Sequence, residues 1–217
     1  MKIAVFDVCG TLYRSNTTFE FLDFYFLDNT RYKLFRIFSK SYIGKLLNYP
    51  FFKFFKFDIL RFIAISFLKG ESTSDVKSAT HTFVTEILAR KIQPEIQKLY
   101  NKYQRDGYYI ILMSGSLDFI ISTITDEWQA NDSYSTVLQI KDNKFTGRVS
   151  FDQLFNKCKV LDENYENIDE LIVVSDNASD LSLLEKADVG FAVCNKEKHK
   201  AFWQRKNLKN TTLIELI

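Results

Sequence analysis

The chain is poor in the residues that staple or punctuate small folds. Its 217 residues include three cysteines, two histidines by count, two prolines and seven glycines. Cys9, Cys158 and Cys194 are widely spaced and odd in number, so a disulfide framework is excluded and a reducing, cytoplasmic setting is expected. No Cys or His pairing has metal-type spacing, which removes zinc modules from consideration. No low-complexity linker and no internal repeat is visible. Long apolar runs are missing too. The uncharged stretch Phe62–Leu68 falls far short of the roughly 20 residues that span a bilayer. Only Ile3–Phe6 are uninterrupted apolar residues before Asp7, so no secretory leader is expected.

What is present supports a core. Hydrophobic residues make up 46% and aromatics 16%, with 21 Phe. The length suits one main domain with a sizeable insertion. The net charge of +2 hides an asymmetry: Arg31–Lys69 holds nine Lys/Arg and one acid, Asp58, a local charge of +8. The remainder therefore carries −6, and one part of the molecule should present a basic face.

Lys2–Asp7 reads as a short buried strand broken by Gly10-Thr11. From about Phe19 to Arg105 the periodicity is helical, interrupted at Pro50 and Gly70, with a helix start at Glu71–Asp75 and another at Pro94. Tyr108–Met113 is a second buried strand, bounded by Gly107 and Ser114-Gly115-Ser116. Leu117–Trp128 is an amphipathic helix. Val137–Ile140 and Lys144–Val149 flank Asp142-Asn143 as a hairpin. Phe155–Tyr165 is helical, Leu171–Ser175 a strand, Leu181–Lys186 a helix and Val189–Val193 a strand, followed by a basic helix and an edge strand. Such alternation predicts a parallel sheet covered on both faces. Ligands of such sheets bind at the carboxyl ends of the strands, where Asp7, Ser114 and Asp176 all fall.

The chemistry these residues offer is consistent. Asp7 is followed by a loop at Gly10 whose amides can face an anion. Ser114-Gly115 adds a hydroxyl and a permissive backbone, and Lys157 or Lys159 an ammonium. Ser175–Asp180 places two carboxylates, Asp176 and Asp180, at a strand-to-helix turn. Carboxylates for a hard cation, with an ammonium, a hydroxyl and free amides for phosphate, are what phosphoryl transfer needs.

Asp7–Leu12, Ser114, Lys157 and Asp176–Asp180 resemble the four ordered motifs of the haloacid dehalogenase superfamily. The helical insert after the first strand, Phe145–Arg148, Lys157–Leu161 and Ala187–Val193 resemble its subclass with phosphoserine phosphatase and phosphatidylglycerophosphatase C. The resemblance implies an α/β, Rossmann-like core over 1–14 and 107–217 and a helical cap over 15–106. It implies a Mg²⁺-dependent phosphatase in which Asp7 forms an aspartyl-phosphate. Ser114 and the Gly115 amide would hold phosphate oxygens, and Lys157, preferred because Leu161 follows at the family's spacing, would neutralise charge. Mg²⁺ would be held by Asp7, the Cys9 backbone carbonyl and Asp176, with Asp180 as a ligand through water or an anchor behind it.

Cys9 departs from the family pattern, which has an acid/base Asp there, a group worth about 10²–10⁴-fold. The remaining candidates have plainer readings. Ser116 reads as a helix N-cap, His81 and His199 as surface residues, Cys158 and Cys194 as small apolar groups, and the Phe-rich insert as the inward-facing core of a cap. Two other functions compete with the enzyme: a scaffold that lost hydrolysis with Cys9, and a peripheral membrane protein docking through its basic aromatic cap. The expected partner is a small-molecule or lipid-linked phosphate; no nucleic-acid partner is expected.

Overall fold

The computed structural model describes residues 1–216. Its first strand, β1 (Lys2–Phe6), is apolar on both faces: Ile3 and Val5 join one hydrophobic cluster, Ala4 and Phe6 another. A strand buried on both faces belongs inside a parallel sheet. β1 is indeed central, pairing in parallel with β2 (Tyr109–Leu117) and β5 (Glu170–Ser175), so that Val5 lies opposite Ile111 and Val173. With β3 (Asp132–Lys141), β4 (Lys144–Phe151), β6 (Val189–Cys194) and β7 (Thr211–Glu215) the sheet order is β4-β3-β2-β1-β5-β6-β7. All neighbours run parallel except the hairpin β3–β4. Its turn residues Asp142 and Asn143 have φ of 51° and 57°, as a type I′ turn requires.

Between β1 and β2 lie α1 (Thr17–Tyr25), α2 (Thr30–Lys40), α3 (Tyr42–Phe55), α4 (Ile59–Ser66), α5 (Thr73–Thr82) and α6 (Pro94–Arg105). The first four begin at side-chain caps, Asn16, Asn29, Ser41 and Asp58, each accepting a backbone N–H three residues on. α6 opens at Pro94 as expected, and its Tyr100 ring sits 5.1 Å from Phe6 on the sheet. On that face α6 is joined by α7 (Asp118–Trp128). The other face is covered by α8 (Lys157–Asn164), α9 (Leu181–Lys186) and α10 (Glu197–Lys206). No helix among the described residues is long and apolar enough to cross a membrane.

Three expectations need correction. Pro50 does not interrupt the insert; it lies inside α3. Pro50 and Leu46 are both exposed, so the Leu46 carbonyl that loses its N–H partner is open to water. The second strand runs past Ser114-Gly115-Ser116, because Leu117 still pairs with Thr136 of β3 across an irregularity after Met113. Ser116 is therefore no helix cap: it is buried in the strand and accepts hydrogen bonds from Thr17 and Thr18, 2.6 and 3.2 Å.

The aromatic residues divide. Phe21, Phe26 and Phe83 are buried as expected of a cap core, whereas α3 buries Gly44 alone and leaves Phe54 and Phe55 at 71% and 74% exposure. α3 lies across its neighbour at Gly44, where a Cβ would meet the Phe38 carbonyl oxygen at 2.4 Å. Its large side chains consequently point to solvent.

Candidate active site

Asp7 follows β1 and is 4% exposed; its N–H donates to the Val174 carbonyl, 2.9 Å, continuing the ladder with β5. Lys157 opens α8, and its Nζ donates to Asp7 Oδ1 and Asp180 Oδ2, both at 2.6 Å, with the side chain 3% exposed. Lys159 points the other way, 71% exposed and paired with Glu163. Asp180 also accepts from Ser175 Oγ, 2.6 Å. Its Oδ2 thus accepts from both Lys157 and Ser175. Burial opposes the Lys157 charge, but Asp180 and Asp7 outweigh it and hold the ammonium above the ordinary lysine value.

Asp176, just past β5, shares Thr11 with Asp7. The Thr11 hydroxyl accepts the Asp176 N–H at 3.0 Å and lies 3.3 Å from both Asp7 Oδ2 and Asp176 Oδ1. Gly10 makes this approach possible: its φ is +76°, and a Cβ there would sit 2.3 Å from Asp176 Oδ2. The Gly10 amide, expected to face an anion, is engaged inside the loop, donating to the Tyr13 and Ser15 carbonyls at 2.8 and 3.1 Å. Its carbonyl accepts from Gln93 and Asn195, 2.9 and 2.5 Å.

Cys9 Sγ lies 2.9 Å from Thr17 Oγ1 and 3.7 Å from Ser114 Oγ. Thr17 gives its own proton to Ser116, so the thiol is the donor toward Thr17. Burial, followed by the charge of Asp7, pushes the Cys9 thiol up. Ser114 is fully buried, and its Oγ accepts the Ser116 N–H at 3.2 Å. The Gly115 carbonyl accepts from Thr136 Oγ1 at 3.0 Å and from Arg61 Nη1 at 2.5 Å. Arg61 reaches in from α4, buried, and pairs with Asp152.

Several residues here escaped the sequence reading. Asn195 follows β6, and the strand-end rule that marked Asp7, Ser114 and Asp176 would have found it. His199, expected at the surface, has Nδ1 4.0 Å from Asp176 Oδ2 and is half-buried, while His81 is exposed. Burial and the charges of Lys198 and Lys196 push His199 below its ordinary value. Arg61 and Gln93 carried no local signal, because their partners lie far along the chain.

The donor set fits a hard divalent cation. Burial, then the charge of Asp7, pushes the Asp176 carboxyl up to about 8. Among the described residues no group of three or more His, Cys, Asp or Glu side chains is arranged as a metal cluster. Two carboxylates with a backbone carbonyl and water suit Mg²⁺, which seldom uses an all-protein cage.

A mostly parallel sheet with these groups at the carboxyl ends of its central strands defines an α/β protein whose polar site sits at the strand ends. The chain belongs to the haloacid dehalogenase-like hydrolase family, whose model matches residues 4–185. Phosphoserine phosphatase of Methanocaldococcus jannaschii is 28% identical over 107 residues, 46% of this chain and 49% of that protein. The chain thus spans about half the length of the curated relatives it matches. A solved protein of unknown function from Bordetella pertussis Tohama I has a TM-score of 0.75 at 14% identity, covering 100% of this chain and 99% of its own. A phospho-aspartyl intermediate analogue of phosphoserine phosphatase gives 0.60 at 20% identity, over 92% of this chain and 90% of that one.

Proposed function

We propose that the protein is a Mg²⁺-dependent phosphatase that removes the phosphoryl group of a monoester through an aspartyl-phosphate on Asp7. The observation that carries this reading is the buried Asp7–Lys157–Asp180 array beside Asp176, at the end of the central strand. Three ionisable groups so placed are expensive to bury and are not needed to hold a sheet together. That argues against the scaffold alternative. Relatives named phosphoserine phosphatase support the same chemistry.

In this reading one oxygen of Asp7 attacks phosphorus while Lys157 holds the carboxylate in place and offsets charge on the phosphate. Ser114 and the Gly115 amide bind phosphate oxygens. Mg²⁺ would be held by Asp7, Asp176 and the Cys9 carbonyl, and would neutralise the phosphate oxygens. Asp180 and Ser175 orient Lys157. Cys9, with a raised pKa and its proton directed at Thr17, makes a poor base for the attacking water and a weak acid for the leaving group. The helical insert 15–106 serves as a cap over the 1–14 and 107–217 core, with α6 and α1 packed on β2 and α4 on β4. Asp7→Asn tests the reading: phosphate release from p-nitrophenyl phosphate with saturating Mg²⁺ should fall to background. Substantial Mg²⁺-dependent turnover in Asp7→Asn rules the mechanism out.

A second reading, compatible with the first, follows from α3. Its exposed Phe and Leu side chains are interleaved with exposed Lys45, Lys53 and Lys56, next to Arg31, Lys33 and Lys40. An apolar helix with a cationic fringe suits the interface of an anionic membrane, where each cation contributes about 1 kcal/mol. The protein would then be cytoplasmic, touch the inner face of the membrane, and act on a lipid-linked phosphate. Sedimentation with phosphatidylserine vesicles at low salt should show binding that salt reverses and that Phe54→Ser with Phe55→Ser abolishes. Absence of binding at low salt removes this reading.

A further inference from the structure

β2 becomes irregular where the phosphate-binding residues begin. Its register with β1 ends at Leu112, and its register with β3 skips from Met113 to Leu117. Within that irregularity the Gly115–Ser116 peptide is held by side chains at both edges. Its N–H, that of Ser116, donates to Ser114 Oγ at 3.2 Å. Its carbonyl, that of Gly115, accepts from Thr136 Oγ1 at 3.0 Å and from Arg61 Nη1 at 2.5 Å.

Arg61 is a costly donor to bring here. It comes from α4 in the cap insert, is 5% exposed, and pairs with Asp152. An apolar contact would fasten cap to core without burying a guanidinium and a carboxylate. The carbonyl already has a donor in Thr136, so Arg61 fills its second lone pair with a charge-assisted bond. Leu154 hems the same peptide: a Cβ on Gly115 would lie 2.7 Å from Leu154 Cδ1. The Leu154 N–H in turn donates to Asp152 Oδ1 at 3.0 Å.

A peptide group is planar, so fixing its carbonyl also aims the N–H on the opposite edge. That N–H takes one lone pair of Ser114 Oγ. The other described contact of this hydroxyl is Cys9 Sγ at 3.7 Å, and a thiol is a weak hydrogen-bonding group. The Ser114 proton is therefore left for a phosphate oxygen.

We infer that Arg61 is a positioning residue that sets the Ser114 hydroxyl for phosphate through the planar Gly115–Ser116 peptide. The inference rests on the assignment of Ser114 in the phosphatase reading and extends it to a residue of the cap. Arg61 acts without touching phosphate, and because it lies on α4, the hydroxyl is set only while the cap is seated.

A double-mutant cycle with Ser114→Ala tests this. Arg61→Met is made together with Asp152→Asn, so that no buried carboxylate is left alone and an oxygen still faces the Leu154 N–H. Thr136→Val, the second variant, removes the other donor to the Gly115 carbonyl and leaves Arg61 in place. The readouts are calorimetric affinity for inorganic phosphate in excess Mg²⁺ and kcat/KM for p-nitrophenyl phosphate. Arg61→Met/Asp152→Asn should weaken both by about tenfold, and Thr136→Val by less, as expected for coupled groups in one hydrogen-bond network. In the Ser114→Ala background both effects should shrink toward none. Effects equally large in that background would mean that Arg61 contacts the ligand itself or only holds the fold, and would overturn the inference. Wild-type affinity unchanged by both variants would overturn it too. Failure of the phosphatase reading shows separately, as hydrolysis indifferent to Asp7→Asn, and leaves the phosphate affinities to decide this point.

Discussion

The side chain two residues beyond Asp7 is a thiol whose proton is turned sideways to Thr17. An alkoxide leaving group needs a proton and a stable anion does not, so the first step in this protein should depend steeply on leaving-group acidity. Cys9→Asp should raise hydrolysis of alkyl phosphates by about tenfold or more, within the usual range for a positioned acid, and change nitrophenyl ester hydrolysis less. A leaving-group series on both proteins reads this directly. A flat wild-type series with a slower Cys9→Asp would show that the thiol is a competent acid. At this scale the sequence was legible where a residue follows a strand, as Asp7 and Asp176 do, or keeps a fixed spacing, as does Lys157, buried against Asp7 and Asp180 while Lys159 is exposed. It was silent on Thr11 as the hydroxyl shared by two carboxylates, and on Gln93, whose partners Gly10 and Thr11 lie more than 80 positions away. Contacts set by tertiary approach leave no periodicity to read.

Among the elements, α1 and α2 are clamped by one carboxylate. Asp23 accepts from Tyr32 Oη at 2.9 Å and from Arg36 Nε and Nη2 at 2.5 and 2.8 Å. Burial works to raise its pKa, but the hydrogen bonds from Arg36 and Tyr32 prevail and hold it below the ordinary 3.8. A carboxyl depressed in the folded state contributes stability that is present above the unfolded value and disappears as pH falls through the folded one. Asp23→Asn should therefore lower Tm at neutral pH, and the gap to wild type should narrow in acid below the ordinary carboxylate range. Melting curves across that range decide it; a gap independent of pH would mean the clamp is not ionic. Strand and helix order was readable because both periods are local. The exposure of α3 was not, since its apolar residues have the composition of a core helix and only the position of Gly44 against α2 turns them outward. The extension of β2 past Ser114 was hidden for a like reason: it depends on a partner strand, not on its own residues.

The whole molecule holds Asp7 and Asp176 close together on adjacent strand ends, both raised by burial. A divalent cation held between them would relieve that repulsion in the folded chain and would find no such pair in the unfolded one. Mg²⁺ at about 100 times its Kd should add about 2.7 kcal/mol of stability, seen as a rise in Tm, and Asp176→Asn should remove most of it. A Tm indifferent to Mg²⁺ would argue against the metal site.

The central place of β1 has a further consequence, in time. Residues 2–6 pair with residues 109–112 on one side and 170–174 on the other, and Asp7 meets Lys157 across 150 positions. β1 therefore has no partner until residues 109–112 have followed it from the ribosome, and lacks its second until residues 170–174 have. The helices of the insert, which also pack on one another, α2 on α3 and α3 on α4, should form before the sheet closes, since pairings distant in sequence are slow to assemble. During that interval β1 is an unpaired apolar segment, and refolding yield should fall with protein concentration more steeply than for a helical protein of equal size.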